Sequence, residues 1–382
     1  MSSKSNAEVL RSAVIYGANA SGKSNLVKAL KVFQKVVLES AKSDDEFDIQ
    51  SHAFGDEYKN NPSEFDINFV SDDVRYNYGF KIYKNSIIEE WLFAYPEGRA
   101  QKWISREGKN RSDWYLNPSI KGHRKIWIES TRDNALILST ALQLNAISFF
   151  PIKEWFQKKL RVYGHGFNSK YTVERSVKDI EFKKKVLEFM GCADFGINDF
   201  SVNEIKYSLD NLPPDVPKAI LDFLKTESTE DQENAELVRV DLKSIHFAKN
   251  GAKAEFDFND ESDGTQKVFN MAGPWLDTLD KGRVLIMDEM DTSLHPLIVK
   301  YLVSQFNNPE KNNNNAQLVF TTHDTSLLNQ NLYRRDQIWF CEKNKDKQTS
   351  VYSLHDFQVR KDENFEKGYL GGRYGALPFV WN

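Results

Sequence analysis

Cysteine is nearly missing from this chain. Two occur in 382 residues, Cys192 and Cys341, far apart and without CxxC spacing. That excludes a disulfide framework and a zinc hook. No apolar run approaches the ~18 residues of a membrane span, and no signal-peptide pattern opens the chain. An excess of positive charge is missing too: the formal net charge is −4. A broadly basic nucleic-acid binder is therefore not indicated, although a local basic groove stays open. There is no sustained heptad pattern and no internal repeat. The expectation is a soluble, cytoplasmic protein with no membrane partner.

What is present is an ordinary globular composition, 40% hydrophobic and 28% charged, long enough for two or three domains. Aromatics are plentiful at 13%. Many fall in alternating runs between residues 65 and 130. Residues 64–106 read as an antiparallel meander: EFDINFV, VRYNYGFKIY, SIIEEWLFAY and QKWISRE, separated by SDD, KNS and PEGR turns. Helical patterning begins near Asp133 in RDNALILSTALQLN. It recurs at IKEWFQKKL, VKDIEFKKKVLEFMG and PKAILDFLKTE. Residues 225–236 are polar and acidic and read as a loop. Strands return at LVRVDLKSIHFA and AKAEFDFND. RVLIMDE, the helix PLIVKYLVSQF, the low-complexity loop NNPEKNNNN, the strand AQLVFTTHD, the helix SLLNQNL and the hairpin DQIWFCEKNKDKQTSVYSL follow.

The sharpest signal is AVIYGANASGKSNLVKAL at 13–30. An apolar strand enters a loop that meets GxxxxGK[ST] at Gly17, Gly22, Lys23 and Ser24, and an amphipathic helix leaves it. This is a phosphate-binding P-loop in its strand–loop–helix context. Glycines permit close backbone approach, and the amides from Asn19, Ala20 and Ser21 to Asn25 curl into an anion nest at a helix start. Lys23 reaches β- and γ-phosphates, and Ser24 offers a hydroxyl to Mg²⁺. The alternative is a chance glycine turn. ATP and Mg²⁺ are the expected cofactors.

Val284-Leu285-Ile286-Met287-Asp288-Glu289 is the Walker B pattern: a strand buried on both faces that ends in two acids. Asp288 is placed to hold Mg²⁺ through water, and Glu289 to act as general base on the attacking water. A core strand ending in two solvated acids is the competing reading. Asp288 follows Lys23 by 265 positions. So long a gap is characteristic of ABC-type ATPases rather than compact kinases or small GTPases. Those proteins carry three further elements, and each has a candidate. Ser262 and Gly264, in ESDGT before a helix at KVFNMAGPWLDTL, match a signature loop; an ordinary helix cap is the alternative. MDTSLHP at 290–296 matches a D-loop, with Asp291 and His295 at a dimer seam or His295-Pro296 simply starting a helix. His323 in QLVFTTHD matches a switch histidine. Gln50 is the nearest candidate for a Q-loop glutamine and so for a further Mg²⁺ contact.

GANASGKSN, ESDGT, VLIMDEMDTSLHP and FTTHDTSLL together resemble the OLD-like, SMC-like branch of ABC ATPases. They look most like the RloA/AbiL-type abortive-infection ATPases, and the tail GRYGALP (Gly372–Pro378) resembles one in that group. The match covers both ends of the chain and little of the middle. It implies an α/β P-loop NTPase head with an antiparallel β arm and a helical insertion. The expected division is 1–130 as the first half of the head, 131–236 as the mostly helical insertion and 237–382 as the second half. It implies that Lys23 and Ser24 bind phosphate and Mg²⁺, Asp288 completes the metal site and Glu289 is the catalytic base. Ser262 and Gly264 would act in trans, and His323 would be the switch. It also implies a homodimer or higher oligomer with ATP sandwiched between heads, acting beside a separate nuclease or toxin effector in bacterial antiphage defence. No Toprim-type acidic DxD cluster follows His323, so the chain is not expected to cut nucleic acid itself.

One departure from the resemblance matters. Only 16 residues precede Gly17, where relatives carry further strands that complete the arm and touch the adenine. Without such strands the meander would expose an edge. Two other functions share the ATPase core: an SMC-like DNA-repair or chromosome-maintenance ATPase, which needs a DNA-binding surface, and a scaffold that binds ATP without turnover. A P-loop kinase would make the signature and switch elements coincidences.

Overall fold

The structure, a computed structural model, describes residues 8–42, 47, 49, 52–164, 166–191, 196–208, 236–360 and 363–378. Gln50, Cys192, the PKAILDFLKTE segment and the acidic run up to residue 235 lie outside the described residues. Two compact units are present. One comprises residues 1–166 with 277–382, the other residues 167–276.

In chain order the first unit opens with β1 (Ser12–Tyr16), the P-loop and the helix Lys23–Glu39. An arm follows: β2 (Ser63–Ser71), β3 (Val74–Tyr83), β4 (Ser86–Tyr95), β5 (Gln101–Glu107) and β6 (Tyr115–Leu116). These strands form an antiparallel sheet in the order β2-β3-β4-β5-β6. Its first two turns are two-residue turns with both residues left-handed, Asp72–Asp73 and Lys84–Asn85. That geometry matches the strand twist and favours Asp and Asn. Among the described residues β2 pairs only with β3, so it is an edge.

The aromatic runs have a physical purpose. On the inner face of the arm, Phe80 meets Phe33 of the P-loop helix at 5.3 Å between ring centroids, and Phe69 stacks on Trp155 at 4.3 Å. The helix answers with Val27, Phe33, Val36 and Val37, all buried. Burying this stripe fastens the helix that carries Lys23 to the arm.

β7 (Leu160–Tyr163) then joins a second sheet with β11 (Val284–Met287), β12 (Gln317–Thr321), β13 (Ile338–Lys343) and β14 (Thr349–Ser353). The order is β14-β13-β1-β12-β11-β7, parallel except for β14. This is the expected α/β P-loop NTPase head with an antiparallel arm. The helix Pro296–Asn307 connects β11 to β12.

The second unit holds the helices Lys170–Lys178 and Ile180–Gly191 and a three-stranded antiparallel sheet in the order β10-β9-β8. Its strands are β8 (Asp199–Ser208), β9 (Glu236–Phe247) and β10 (Lys253–Asp257). The helix Asp263–Lys281 begins here. Phe269 of that helix packs on Phe200 and Phe258, at 5.0 and 4.6 Å between centroids.

Several expectations are corrected. The mostly helical insertion is expected over 131–236, and the second compact unit instead spans 167–276. Residues up to 166 fold with the head, where β7 is a strand of its sheet, and β8 pairs with β9 outside the expected bounds. β7 has four residues, too few to show a period. IKEWFQKKL splits into the short helix Phe150–Glu154 and one wide turn, Trp155–Lys159, before β7. SLLNQNL forms two short turns in place of a helix, Thr325–Leu327, initiated by the Asp324 side chain accepting from the Ser326 amide, and a second over 330–332.

Candidate functional site

The P-loop is shaped by what would not fit in it. A Cβ on Gly17 would collide with the Cys341 carbonyl oxygen of β13 and lie 2.6 Å from Ser21 Oγ. Gly22 has φ +111° and faces Thr349 of β14 so closely that a Cβ would strike its hydroxyl. Ala20 is left-handed at φ +61°. The loop is held from outside: Thr349 Oγ1 and Cys341 Sγ both donate to the Ser21 carbonyl, at 2.8 and 3.5 Å. Burial pushes the Cys341 thiol above its ordinary value, so the sulfur stays a neutral donor. The helix start carries no acidic residue in its first turn, which leaves its positive end unneutralised.

Lys23 is only 5% exposed. Its ammonium donates to the carbonyls of Gly17 at 2.7 Å and Ala18 at 3.1 Å. Burial lowers its pKa from the usual lysine value, opposed by Asp288, Glu289 and Asp291 nearby. Ser21 Oγ, on a side chain 4% exposed, has no hydrogen-bond partner. A buried cation held by its own loop, an orphan hydroxyl and glycines where a Cβ cannot stand together fit phosphate oxygens.

The opposite wall comes from the carboxyl ends of β11 and β12. Their register pairs Met287 with Phe320, which brings Asp288 beside Thr321. Thr321 Oγ1 donates to Asp288 Oδ1 at 2.7 Å and accepts from the Glu289 amide at 2.8 Å. Glu289 itself is left-handed, φ +49°, a costly conformation for a side chain of this kind. The Met290 amide donates to the Thr321 carbonyl at 3.1 Å and holds the turn. The His323 amide donates to Asp291 Oδ2 at 3.3 Å, while Asp291 Oδ1 is buried with no hydrogen-bond partner. Burial, then the nearby Lys23 cation, lower the His323 pKa from its ordinary value.

Asn19, Ala20, Ser21, Gly22, Lys23, Ser24 and Asn25 line one cavity of about 500 Å³ together with Glu289, His323 and Lys343. The structure thus brings the two ends of the chain to one site. Lys343, at the end of β13, had no local signal in the sequence; parallel pairing of β13 with β1 puts it there. Among the described residues no group of three or more His, Cys, Asp or Glu gathers as a metal cage. Mg²⁺ keeps several waters and takes few protein ligands, so Ser24 and Asp288 remain a chemically suitable pair.

Other candidates are not among the residues that line this cavity. Ser262 and Gly264 belong to the second unit, where Ser262 Oγ accepts from the Thr265 amide at 3.2 Å and caps the helix. The loop before it is anchored to β9: Glu261 receives the Ser244 hydroxyl and meets His246 Nε2 at 2.7 Å. His295 caps the helix Pro296–Asn307, its Nδ1 accepting from the Leu297 amide at 3.2 Å.

A family model described as "AAA domain, putative AbiEii toxin, Type IV TA system" matches residues 12–329. No curated protein matches the chain in sequence. Among solved structures, one described as an SmcHead bound to the C-winged helix domain of ScpA is similar at 15% identity and TM-score 0.35, covering 90% of each chain. The SMC head domain from Thermotoga maritima is similar at 12% identity and TM-score 0.34, over 91% of this chain and 90% of that one. The recombination mediator RecF of the RecFOR pathway, described with ATPrS, follows at 13% identity and TM-score 0.30, over 90% and 93%. Likenesses this distant say nothing of what this chain binds.

Proposed function

The chain belongs to the AAA-domain family described for AbiEii-type toxins of type IV toxin–antitoxin systems, and on that premise we propose that it is an ATP-driven switch. In this reading it binds and hydrolyses ATP, closes head to head with a second copy around the nucleotide, and controls a separate nuclease or toxin in antiphage defence. The observation that supports it most is the coupling of Asp288, Thr321 and Glu289 at two adjacent strand ends facing Lys23.

Lys23 exchanges its two loop carbonyls for β- and γ-phosphate oxygens, and the loop amides and Ser21 Oγ take the remaining acceptors. Mg²⁺, held by Ser24 and through water by Asp288, would neutralise charge on those oxygens. Thr321 fixes both acids. It orients Asp288 as a hydrogen-bond acceptor and locks the backbone of Glu289 so that its carboxylate faces the cavity. Glu289 takes the proton as water oxygen bonds the γ-phosphorus and the bond to the ADP oxygen breaks. His323 is neutral at neutral pH and contacts the γ-phosphate. Ser262 and Gly264 of a second protomer complete the seam. The differential affinity of ATP for the closed pair drives the switch.

The test is molar mass by light scattering for Glu289→Gln with and without Mg·ATP. The expected result is a doubled mass with ATP that Ser262→Arg abolishes. Unchanged mass despite measured ATP binding would rule out ATP-driven pairing.

A further inference from the structure

The tail Gly372–Pro378 has no part in the switch just described, yet it is firmly built. Tyr369 and Tyr374 both stack on Phe340 of β13, at 5.3 and 5.7 Å between centroids. The Tyr369 hydroxyl donates to the Ala376 carbonyl at 3.0 Å, and the Tyr352 hydroxyl to the Tyr374 carbonyl at 2.8 Å. Gly375 and Ala376 are both left-handed, φ +69° and +58°. A Cβ on Gly375 would lie 2.7 Å from the Tyr352 hydroxyl. Ala376 is 1% exposed. A buried non-glycine residue in that conformation persists only where its surroundings enforce it, and such strain concentrates at functional sites.

The consequence lies at Leu377 and Pro378. Leu377 and Pro378 stand across a cavity of about 710 Å³ from Ala18 and Asn19 of the P-loop. The β13–β14 hairpin, with Asn344 and Ser350, forms its third wall. This cavity and the phosphate cavity share Asn19, Ala20, Ser21 and Lys343, so the two adjoin along the P-loop. The phosphate cavity is lined by polar and apolar surface in nearly equal parts, whereas this one is lined mainly by apolar surface, with Lys345 and Lys347 on its hairpin wall. A ligand spanning both is charged at one end and flat and weakly polar at the other, as a nucleoside triphosphate is. A third cavity, also lined by Leu377 and Pro378, shares only Asn19 and His323 with the phosphate site.

We propose that the tail and the β13–β14 hairpin form the base-and-ribose compartment of the nucleotide site. Leu377 and Pro378 cover one face of the base, and Asn344 and Ser350 meet its polar edge. The inference rests on the ATP reading above but assigns the base to the carboxyl-terminal tail of this chain. Calorimetric titration of Mg·ATP and of magnesium tripolyphosphate into the full chain tests it, with Leu377→Asp and Leu377→Ala as variants. Leu377→Asp should weaken ATP about tenfold and leave tripolyphosphate unchanged, with Leu377→Ala moving the same way by less. Equal losses for both ligands, or no loss for either, would overturn the compartment. So would a wild-type chain that binds tripolyphosphate as tightly as ATP. Binding of neither ligand by the wild type would instead remove the ATP reading on which it rests. If Leu377→Asp does not fold, the ATP-to-tripolyphosphate ratio in Leu377→Ala decides.

Discussion

The arm and the P-loop each bury a charge, and the two charges are treated differently. Glu90 on β4 is 1% exposed and accepts from the Ile137 and Leu138 amides, at 2.6 and 3.0 Å, and from the Tyr78 hydroxyl at 3.1 Å. Arg106 beside it donates to the carbonyls of Ala135 and Asp133 and lies over the Trp114 ring at 4.1 Å. Burial raises the Glu90 pKa, while those amides and Arg106 oppose the rise. Every partner of Glu90 comes from another element, so the carboxylate is a clamp between β3, β4 and the segment 133–138. Lys23 instead borrows carbonyls from its own loop and faces a cavity. A buried charge with fixed partners holds a fold together. A buried charge whose partners can be exchanged is ready for a ligand.

Substitution at each charge breaks this contrast in opposite ways. Lys23→Ala should weaken ATP at least about 100-fold, from the loss of charge-assisted hydrogen bonds to phosphate, with little change in unfolding midpoint. Calorimetry and a denaturant titration read the two sides. Glu90→Ala should do the reverse. It strands two amides and a phenol and removes the opposite charge near Arg106, and should cost about 3 kcal/mol of stability or more, with ATP affinity kept in the molecules that remain folded. A Glu90→Ala chain of unchanged stability would remove the clamp.

The smallest effect expected is a pH dependence at His323. Its pKa is lowered, so the neutral ring persists below the ordinary histidine value of about 6.5, and protonation comes only at more acidic pH. Hydrolysis should therefore hold through that value and fall below it, and His323→Asn should lose this acid limb. The same sign applies to stability: a proton taken up more readily by the unfolded chain removes stability as pH falls through that window. An acid limb at or above the ordinary histidine value would contradict the role.

How much of this was legible in the sequence differs by element. Four arm strands, β2 to β5, were readable because each alternates over seven to ten residues and polar turns punctuate them, whereas β6 has two residues. β7 and β8 were not, since one is short and the other is a strand only through its pairing with β9. SLLNQNL looked helical from its apolar residues, but the Asp324 turn competes with a helix there.

The same division runs through the site. Gly17, Gly22, Lys23, Ser24, Asp288 and Glu289 could be named from local patterns, because phosphate and metal chemistry demands particular residue types at short, rigid spacing. Thr321 as the link between the two acids depends on strands that meet across more than 30 residues, and Lys343 on the cavity wall and Leu377 beside the P-loop on contacts across more than 300. A residue's type and its near neighbours carry the chemistry it can perform. Which distant partner it performs it with is set by strand order and register, and these emerge only when the whole sheet packs.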